Sequence, residues 1–344
     1  MEALVIHAPG DLRTEEVETP PLGPGQLQVR VRCGGICGSD LHYYQHGGFG
    51  TVRIKEPMVL GHEVAGVIEA VGGDVTGFAA GERIAISPSR PCGQCTYCQQ
   101  GLQNHCLDMR YYGSAMRNPH VQGAFRQQIV VETHQAHRLA DSVSDGEGSM
   151  AEPLSVALHA VRRAGSLLGK RVLVTGCGPI GALAIIAARR AGAVHIVATD
   201  VGSYTLGKAL AVGADEVVNV AESPDGLDRF KANKGSFDVL FEASGNARAL
   251  VGAFDALRPR GIIVQLGLGG EMTLPINTIV AKEFDLRGAF RFHEEFAMAV
   301  ALLNKGLVNV KPLISATLSY RDPARAFALA ADRSQAMKVI LNFD

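Results

Sequence analysis

The rhythm of hydrophobic and polar positions changes part-way along this chain of 344 residues. From Lys170 onward short apolar runs alternate with amphipathic stretches. RVLVT leads through a glycine turn into IGALAIIAARRAGA. HIVATD, EVVNV, FDVLFEASG and GIIVQLGLG follow, separated by helical stretches such as ARALVGAFDALRPR. This alternation predicts a parallel sheet with helices on both faces. The first 140 or so residues differ. QLQVRVRCGG, AGVIEAVG, ERIAISP and GAFRQQIVVET are strand-like pieces punctuated by Gly and Pro, which predicts an irregular antiparallel β domain. The last stretch, ISATLSYRDPARAFALAADRSQAMKVILNF, returns to strand, helix, strand. The organisation expected is a β domain built from residues 1–145 and 290–344 around an α/β domain of residues 146–289. The sequence holds no internal repeat, low-complexity tract or charge run.

Composition narrows the class. The length suits about two domains of roughly 150 residues, and 47% hydrophobic residues can fill two cores. A formal net charge of −1 leaves no electrostatic footprint for nucleic acid or an anionic membrane. No run approaches the roughly 18 apolar residues of a membrane span, since GALAIIAA stops at Arg189 and Arg190. The opening MEALVIHAPGDLRTEE lacks the basic and apolar segments of a secretory signal. The expectation is a soluble, cytoplasmic protein, where disulfides are rare and clustered cysteines point to a metal.

Four of the seven cysteines fall within PCGQCTYCQQGLQNHC. Cys92, Cys95, Cys98 and Cys106 form C-x2-C-x2-C-x7-C, a lobe near residues 90–107, and four thiolates complete a tetrahedral Zn²⁺ shell with no open position. Such a zinc is structural. His105, beside Cys106, reads as a loop histidine rather than a ligand. By itself this lobe would also fit a zinc module that binds a partner.

The turn after RVLVT carries a second signal. Gly176, Gly178 and Gly181, with Pro179 and Ile180 between them, make G-x-G-x-x-G at a strand-to-helix junction. The first glycine permits the tight turn, the second lets backbone approach a pyrophosphate, and the third lets helix and strand pack closely. The helix N-terminus offers N–H groups to phosphates. Asp200 ends the next strand, where a carboxylate accepts from a ribose 2′-OH and repels a 2′-phosphate, so NAD is favoured over NADP.

Cys37 in GGICGSDLHYY, His62 and Glu63 in VLGHEVAG, and Glu152 in MAEPLSVALHA have no metal spacing of their own. Alone they would pass for a buried cysteine, a core histidine and helix-start acids. A resemblance changes this. G-H-E-x2-G-x5-G-x2-V, from Gly61 to Val75, resembles the signature of the zinc-containing medium-chain alcohol dehydrogenases. GICGSDLH, the four-cysteine lobe and G-x-G-x-x-G appear in that family's order, so the resemblance spans essentially the whole chain. LHYY, GHE and AEPLSVALHA resemble its polyol branch, the sorbitol dehydrogenases. PMVLGHE, DMRYYGSAM and GAFRF are most similar to the bacterial L-idonate 5-dehydrogenase branch.

The resemblance implies a GroES-like β domain around a Rossmann domain, with the active site in the cleft and two zinc ions per subunit. It implies that Cys37 and His62 hold the catalytic zinc. Glu63 and Glu152 are both candidates for the next ligand, one direct and the other through water. Asp40 is implied as the partner that fixes the His62 tautomer. A zinc with an open position acidifies a hydroxyl, much as it lowers the pKa of water from about 15.7 to about 7, and hydride then passes to C4 of the nicotinamide. Ser39 and His42 match the family's proton relay, with His42 at its outer end. Arg110 and Arg291 are the candidates for binding a substrate carboxylate. The implied substrate is a sugar acid, L-idonate oxidised at C5 to 5-keto-D-gluconate. A polyol such as sorbitol, or an amino alcohol such as threonine, is the alternative. The family further suggests a homotetramer or homodimer, with GAF-type strands pairing across subunits. A zinc-stabilised nucleotide-binding protein without catalysis is the more distant alternative. Cys33 and Cys177, outside both sites, read as structural.

Overall fold

The computed structural model describes residues 1–344, and its strands form two large sheets. The first has seven strands. Ala136–Arg138, Arg83–Ile86, Glu63–Val71 and Gln26–Gly35 lie side by side, and Lys338–Asn342 and Ile314–Ser319 continue the row. Gln128–Glu132 also pairs with Gln26–Gly35. All these pairings are antiparallel except the last, between the two C-terminal strands. Alternation along Gln26–Gly35 sends Leu27, Val29 and Val31 inward, with Ile68, Ile84, Ile129 and Phe125 in the same core.

The second sheet is parallel. Its spatial order is Glu216–Asn219, His195–Asp200, Arg171–Thr175, Phe237–Glu242, Leu257–Gln265 and Asp285–Gly288. Counted along the chain this is 3-2-1-4-5-6, the doubly wound order of a nucleotide-binding fold, which reverses between its first and fourth strands. Val172, Leu173, Val174, Val239, Leu240 and Phe241 are buried, because helices cover both faces. The helix Pro179–Arg190 buries an unbroken run from Gly181 to Ala188, in which Gly181 and the alanines leave room for close packing while Leu183, Ile185 and Ile186 fill the core.

Two local differences from the sequence reading have physical causes. The stretch ARALVGAFDALRPR is helical only over Ala247–Gly252, with a 3-10 turn at Phe254–Ala256. Strand pairing begins at Leu257, because Pro259 cannot continue a helix and Leu257 registers with Phe237. GAFRF is not a strand. The sheet ends at Gly288, and Arg291 takes a left-handed φ of 55°, incompatible with extended backbone. The segment after residue 290 contributes a helix as well as the two C-terminal strands. The helix Glu295–Asn304 buries Phe296, Ala299, Val300 and Leu303 against Leu154, Leu158 and Val161 of the helix Ala151–Ala164. The same apolar core continues from Ala65 and Ala85 of the first sheet to Val172 and Val174 of the second. No helix is long and apolar enough to cross a membrane.

Candidate functional site

The cysteine lobe is built locally. Cys95 precedes the short helix Thr96–Gln99, Cys98 lies inside it, and Cys106 follows the 3-10 turn Gln103–His105. The four sulfurs lie within 4.8 Å of one another, with Cys95 Sγ and Cys106 Sγ 4.0 Å apart. A tetrahedral zinc with Zn–S bonds of about 2.3 Å needs S···S edges of roughly 3.8 Å, so the residues fit that ion. The backbone is arranged for anionic sulfur. Cys92 N–H donates to Cys106 Sγ at 3.2 Å, Cys95 N–H to Cys92 Sγ at 3.3 Å, and Asp108 N–H to Cys106 Sγ at 3.3 Å. Backbone N–H groups of Leu107 and Cys98 bring the Cys95 thiol down to about 6. Burial pushes Cys98 the opposite way, up to about 12. His105 is not part of the sulfur cluster; its ring lies against Phe290 and Tyr97.

The second cluster is assembled from distant segments. The central strand Gln26–Gly35 delivers Cys37 to the start of the helix Gly38–His46, and the neighbouring strand begins at Glu63 directly after His62. Donor atoms of Cys37, His62 and Glu63 lie within 4.8 Å of one another. His62 is buried and its Nδ1 has no hydrogen-bond partner. Thiolate, imidazole and carboxylate are the mixed donors of a three-ligand zinc site with one position left open. These residues therefore fit the ion.

Asp40 does not hold His62 by a hydrogen bond, since its Oδ1 is 3.8 Å from Nδ1. Its carboxylate instead accepts from the backbone N–H of Cys37 at 2.9 Å and of Gly61 at 3.2 Å. It thereby ties together the two loops that carry the donors. Burial raises the Asp40 carboxyl above its ordinary range. Burial also opposes charge on His62, but Asp40 and the Cys37 sulfur outweigh it and raise its pKa well above the usual value. Such a surplus of negative groups suits a cation.

Lys338, which sequence reasoning missed, accounts for Glu63. This lysine is 2% exposed, and its Nζ donates to both Glu63 oxygens at 2.8 and 2.6 Å and to Ile36 C=O at 3.1 Å. Burial disfavours the ammonium, yet Glu63 holds its pKa above the ordinary lysine value. Glu152 lies in the first turn of the helix Ala151–Ala164, outside the group of three donors. It accepts a hydrogen bond from the Tyr111 hydroxyl, and burial raises it to about 7. Tyr111 was also missed. Its ring lies 5.8 Å from that of His62, and burial, then the Glu152 charge, raise its pKa well above 10. The Tyr111 signal was present in DMRYYGSAM, but attention to charge selected its neighbour.

That neighbour, Arg110, is exposed and pairs with Arg90 across a two-residue ladder. Strand alternation turns it to the face opposite Tyr111, so it does not join the cluster. Arg291 does. Its guanidinium lies 4.6 Å from the Tyr111 ring centre and 4.9 Å from that of Phe290, and Nη2 donates to Met116 Sδ at 2.9 Å. Its side chain donates to Met116 and to no carboxylate; burial disfavours its charge, and the Tyr111 and Glu152 charges oppose that only through space. Ser39 and His42 lie three residues apart on one face of the helix Gly38–His46, the first half-buried and the second exposed. Burial, followed by the nearby His46, lowers the pKa of His42.

At the C-terminal edge of the parallel sheet, Gly176 has φ +84° and a Cβ there would sit 2.6 Å from Ser244 N. A Cβ on Gly181 would lie 1.8 Å from Gly176 C=O, so helix and turn touch directly. Gly178 differs, with nothing within 4 Å of its Cβ direction. It caps the helix whose first residues are Pro179 and Ile180, leaving an open cradle at a helix N-terminus that fits a pyrophosphate. Asp200 ends the second strand. One carboxylate oxygen accepts from Cys177 N–H at 2.6 Å and the other from Val201 and Gly202 N–H at 2.7 and 3.0 Å. Asp200 therefore also fastens the glycine turn to its neighbouring strand.

Residues 23–141 match the model of the alcohol dehydrogenase GroES-like domain, and residues 179–305 that of zinc-binding dehydrogenases. An L-idonate 5-dehydrogenase (NAD(P)(+)) of Escherichia coli (strain K12) is 45% identical over 92% of this chain and 91% of its own length. A sorbitol dehydrogenase of Bos taurus is 36% identical over 99% of the chain and 96% of its own. The crystal structure of L-idonate 5-dehydrogenase from Escherichia coli K-12 superposes with a TM-score of 0.95 at 42% identity, covering 99% of this chain and 97% of that one.

Proposed function

The chain belongs to the zinc-binding alcohol dehydrogenases with a GroES-like domain, and within that family we propose that it oxidises L-idonate at C5 to 5-keto-D-gluconate with NAD⁺ as acceptor. When bound, zinc supplies Lewis acidity that acidifies a hydroxyl, and the nicotinamide supplies the hydride acceptor. Cys37, His62 and Glu63 would hold that zinc, with Lys338 offsetting the Glu63 charge. Glu152 and Tyr111 orient the substrate hydroxyl beside them. Ser39 receives its proton, and His42 passes it toward solvent along the exposed end of the same helix face. Gly176, Gly178 and Gly181 receive the pyrophosphate and Asp200 the ribose diol. Asp200 repels a 2′-phosphate, which makes NADP⁺ the poorer acceptor. Cys92, Cys95, Cys98 and Cys106 would hold a zinc that braces the fold. The setting proposed is a cytoplasmic homodimer or homotetramer acting on a small molecule, without nucleic-acid or membrane partners.

The observation that carries the sugar-acid reading is Arg291. It is half-buried beside Tyr111, without a carboxylate partner of its own. An aldonate differs from a polyol by one fixed negative charge, and a guanidinium binds it through a planar fork. A charge-assisted hydrogen bond contributes about 1.5–3 kcal/mol. Arg291→Ala should thus lower kcat/KM for L-idonate about ten- to a hundredfold and that for sorbitol much less. The test is kcat/KM for both substrates in wild type and variant. A wild type that prefers sorbitol would leave the polyol reading in place.

A further inference from the structure

The cysteine lobe reaches the candidate substrate cleft through a side-chain hydrogen bond. Asn104 is buried in the turn Gln103–His105 between Cys98 and Cys106, and its Nδ2 donates to the Phe290 carbonyl at 3.0 Å, 186 residues further along the chain. That carbonyl belongs to the peptide unit whose nitrogen is Arg291's own. Holding it fixes the plane from which Arg291 departs. The neighbouring His105 ring lies 6.1 Å from the Phe290 ring at an interplanar angle of 32°, a second contact on the same residue.

Arg291 needs such a restraint. Its φ of 55° is strained for a residue with a Cβ and persists only where surroundings over-determine it. Downstream of that backbone, the guanidinium is placed over Tyr111 and against Met116, and both of these residues lie within the ten positions after Cys106. We infer that Asn104 is a positioning residue that sets the direction of the Arg291 side chain, so that the cysteine lobe tunes selectivity for a carboxylate-bearing substrate. This inference rests on the reading of Arg291 as the carboxylate partner. Losing the Asn104 hydrogen bond lets the Phe290–Arg291 peptide rotate. A shift of about 1 Å in a binding group is enough to weaken productive binding severalfold to a hundredfold.

The test compares zinc-loaded wild type, Asn104→Ala, Arg291→Ala and the double variant, with L-idonate and sorbitol as substrates. Asn104→Asp, which keeps the size but removes the donor, is read in place of Asn104→Ala if the alanine chain does not fold. The expected result is a KM for L-idonate raised about tenfold in Asn104→Ala, kcat within about twofold, sorbitol kinetics within about twofold, and full zinc content. In the Arg291→Ala background the Asn104 change should add nothing, because its effect passes through the missing guanidinium. Equal losses on both substrates, no loss on L-idonate, or an undiminished loss in the double variant would overturn the inference while leaving the Arg291 reading intact. If Arg291→Ala itself spares L-idonate, the reading fails and the inference with it.

Discussion

Two clusters of metal-type donors lie in one chain and are made in opposite ways. The four-cysteine lobe draws every donor from fifteen consecutive positions, all of one chemical kind, and stabilises charged sulfur with its own backbone N–H groups. The cluster at Cys37 takes three kinds of donor from segments that meet only through the large antiparallel sheet. It balances charge with Lys338, 275 residues along the chain from Glu63. A closed shell of identical ligands can be local because its task is cohesion. An open site must hold three ligands at set angles with one direction kept free, and here the folded sheet supplies that from separate segments.

Breaking each cluster should therefore have different consequences. Cys37→Ser should lower kcat/KM by a thousandfold or more, with an unchanged circular dichroism spectrum and one zinc lost per subunit. Cys95→Ser should instead cost several kcal/mol of stability or yield aggregate, since a structural zinc contributes folding free energy directly. Matched loss of fold in both variants would erase the contrast. A sharper test is Lys338→Met, which leaves the Glu63 carboxylate buried without its cation. Removing one member of a buried pair costs about 3–5 kcal/mol. That cost should appear in urea unfolding after dialysis against chelator and shrink when zinc is restored, because the dication replaces the lost positive charge. An equal cost with and without zinc would mean that Glu63 does not face the metal. The smallest effect is expected for Tyr111→Phe. It removes one hydrogen bond to a carboxylate acceptor, worth about 1.5–3 kcal/mol, and should lower kcat/KM about ten- to a hundredfold without altering zinc content.

What could be read from the chain followed the same division. The doubly wound sheet and the glycine turn were legible because their signals are periodic or contiguous. RVLVT buries four of its five residues, and Gly176 and Gly181 are places where any Cβ would collide. The cysteine lobe was legible for the same reason. Cys37, His62 and Glu152 became visible only through resemblance to a family, since nothing in their spacing announces a common site. Lys338 and Asn104 carried no signal, and Tyr111 only its place beside Arg110 in DMRYYGSAM. A lysine on a C-terminal strand, a tyrosine in a two-residue strand and an asparagine in a loop acquire their roles from contacts with residues far away in the chain. Arg110 shows the reverse error, a charge selected by type where strand alternation gives the inward position to the next residue. The GAFRF segment, apolar enough for a strand, is a bend because Arg291 adopts a left-handed conformation.

The pairing of Lys338–Asn342 with Gln26–Gly35 also dictates an order of events on the ribosome. Ile340 registers with Gly35 and Asn342 with Cys33, while Lys338 reaches back across 302 positions to Ile36. The parallel sheet, complete by Gly288, emerges in one continuous stretch and can condense while synthesis continues. The strand that carries the chain to Cys37 must wait with part of one edge unpaired until Lys338–Asn342 has been translated, and closing so long a loop is slow. Over that interval Glu63 has no ammonium beside it. The nascent chain is then most exposed to edge-to-edge association, and most responsive to any cation that can stand in for the lysine still to come.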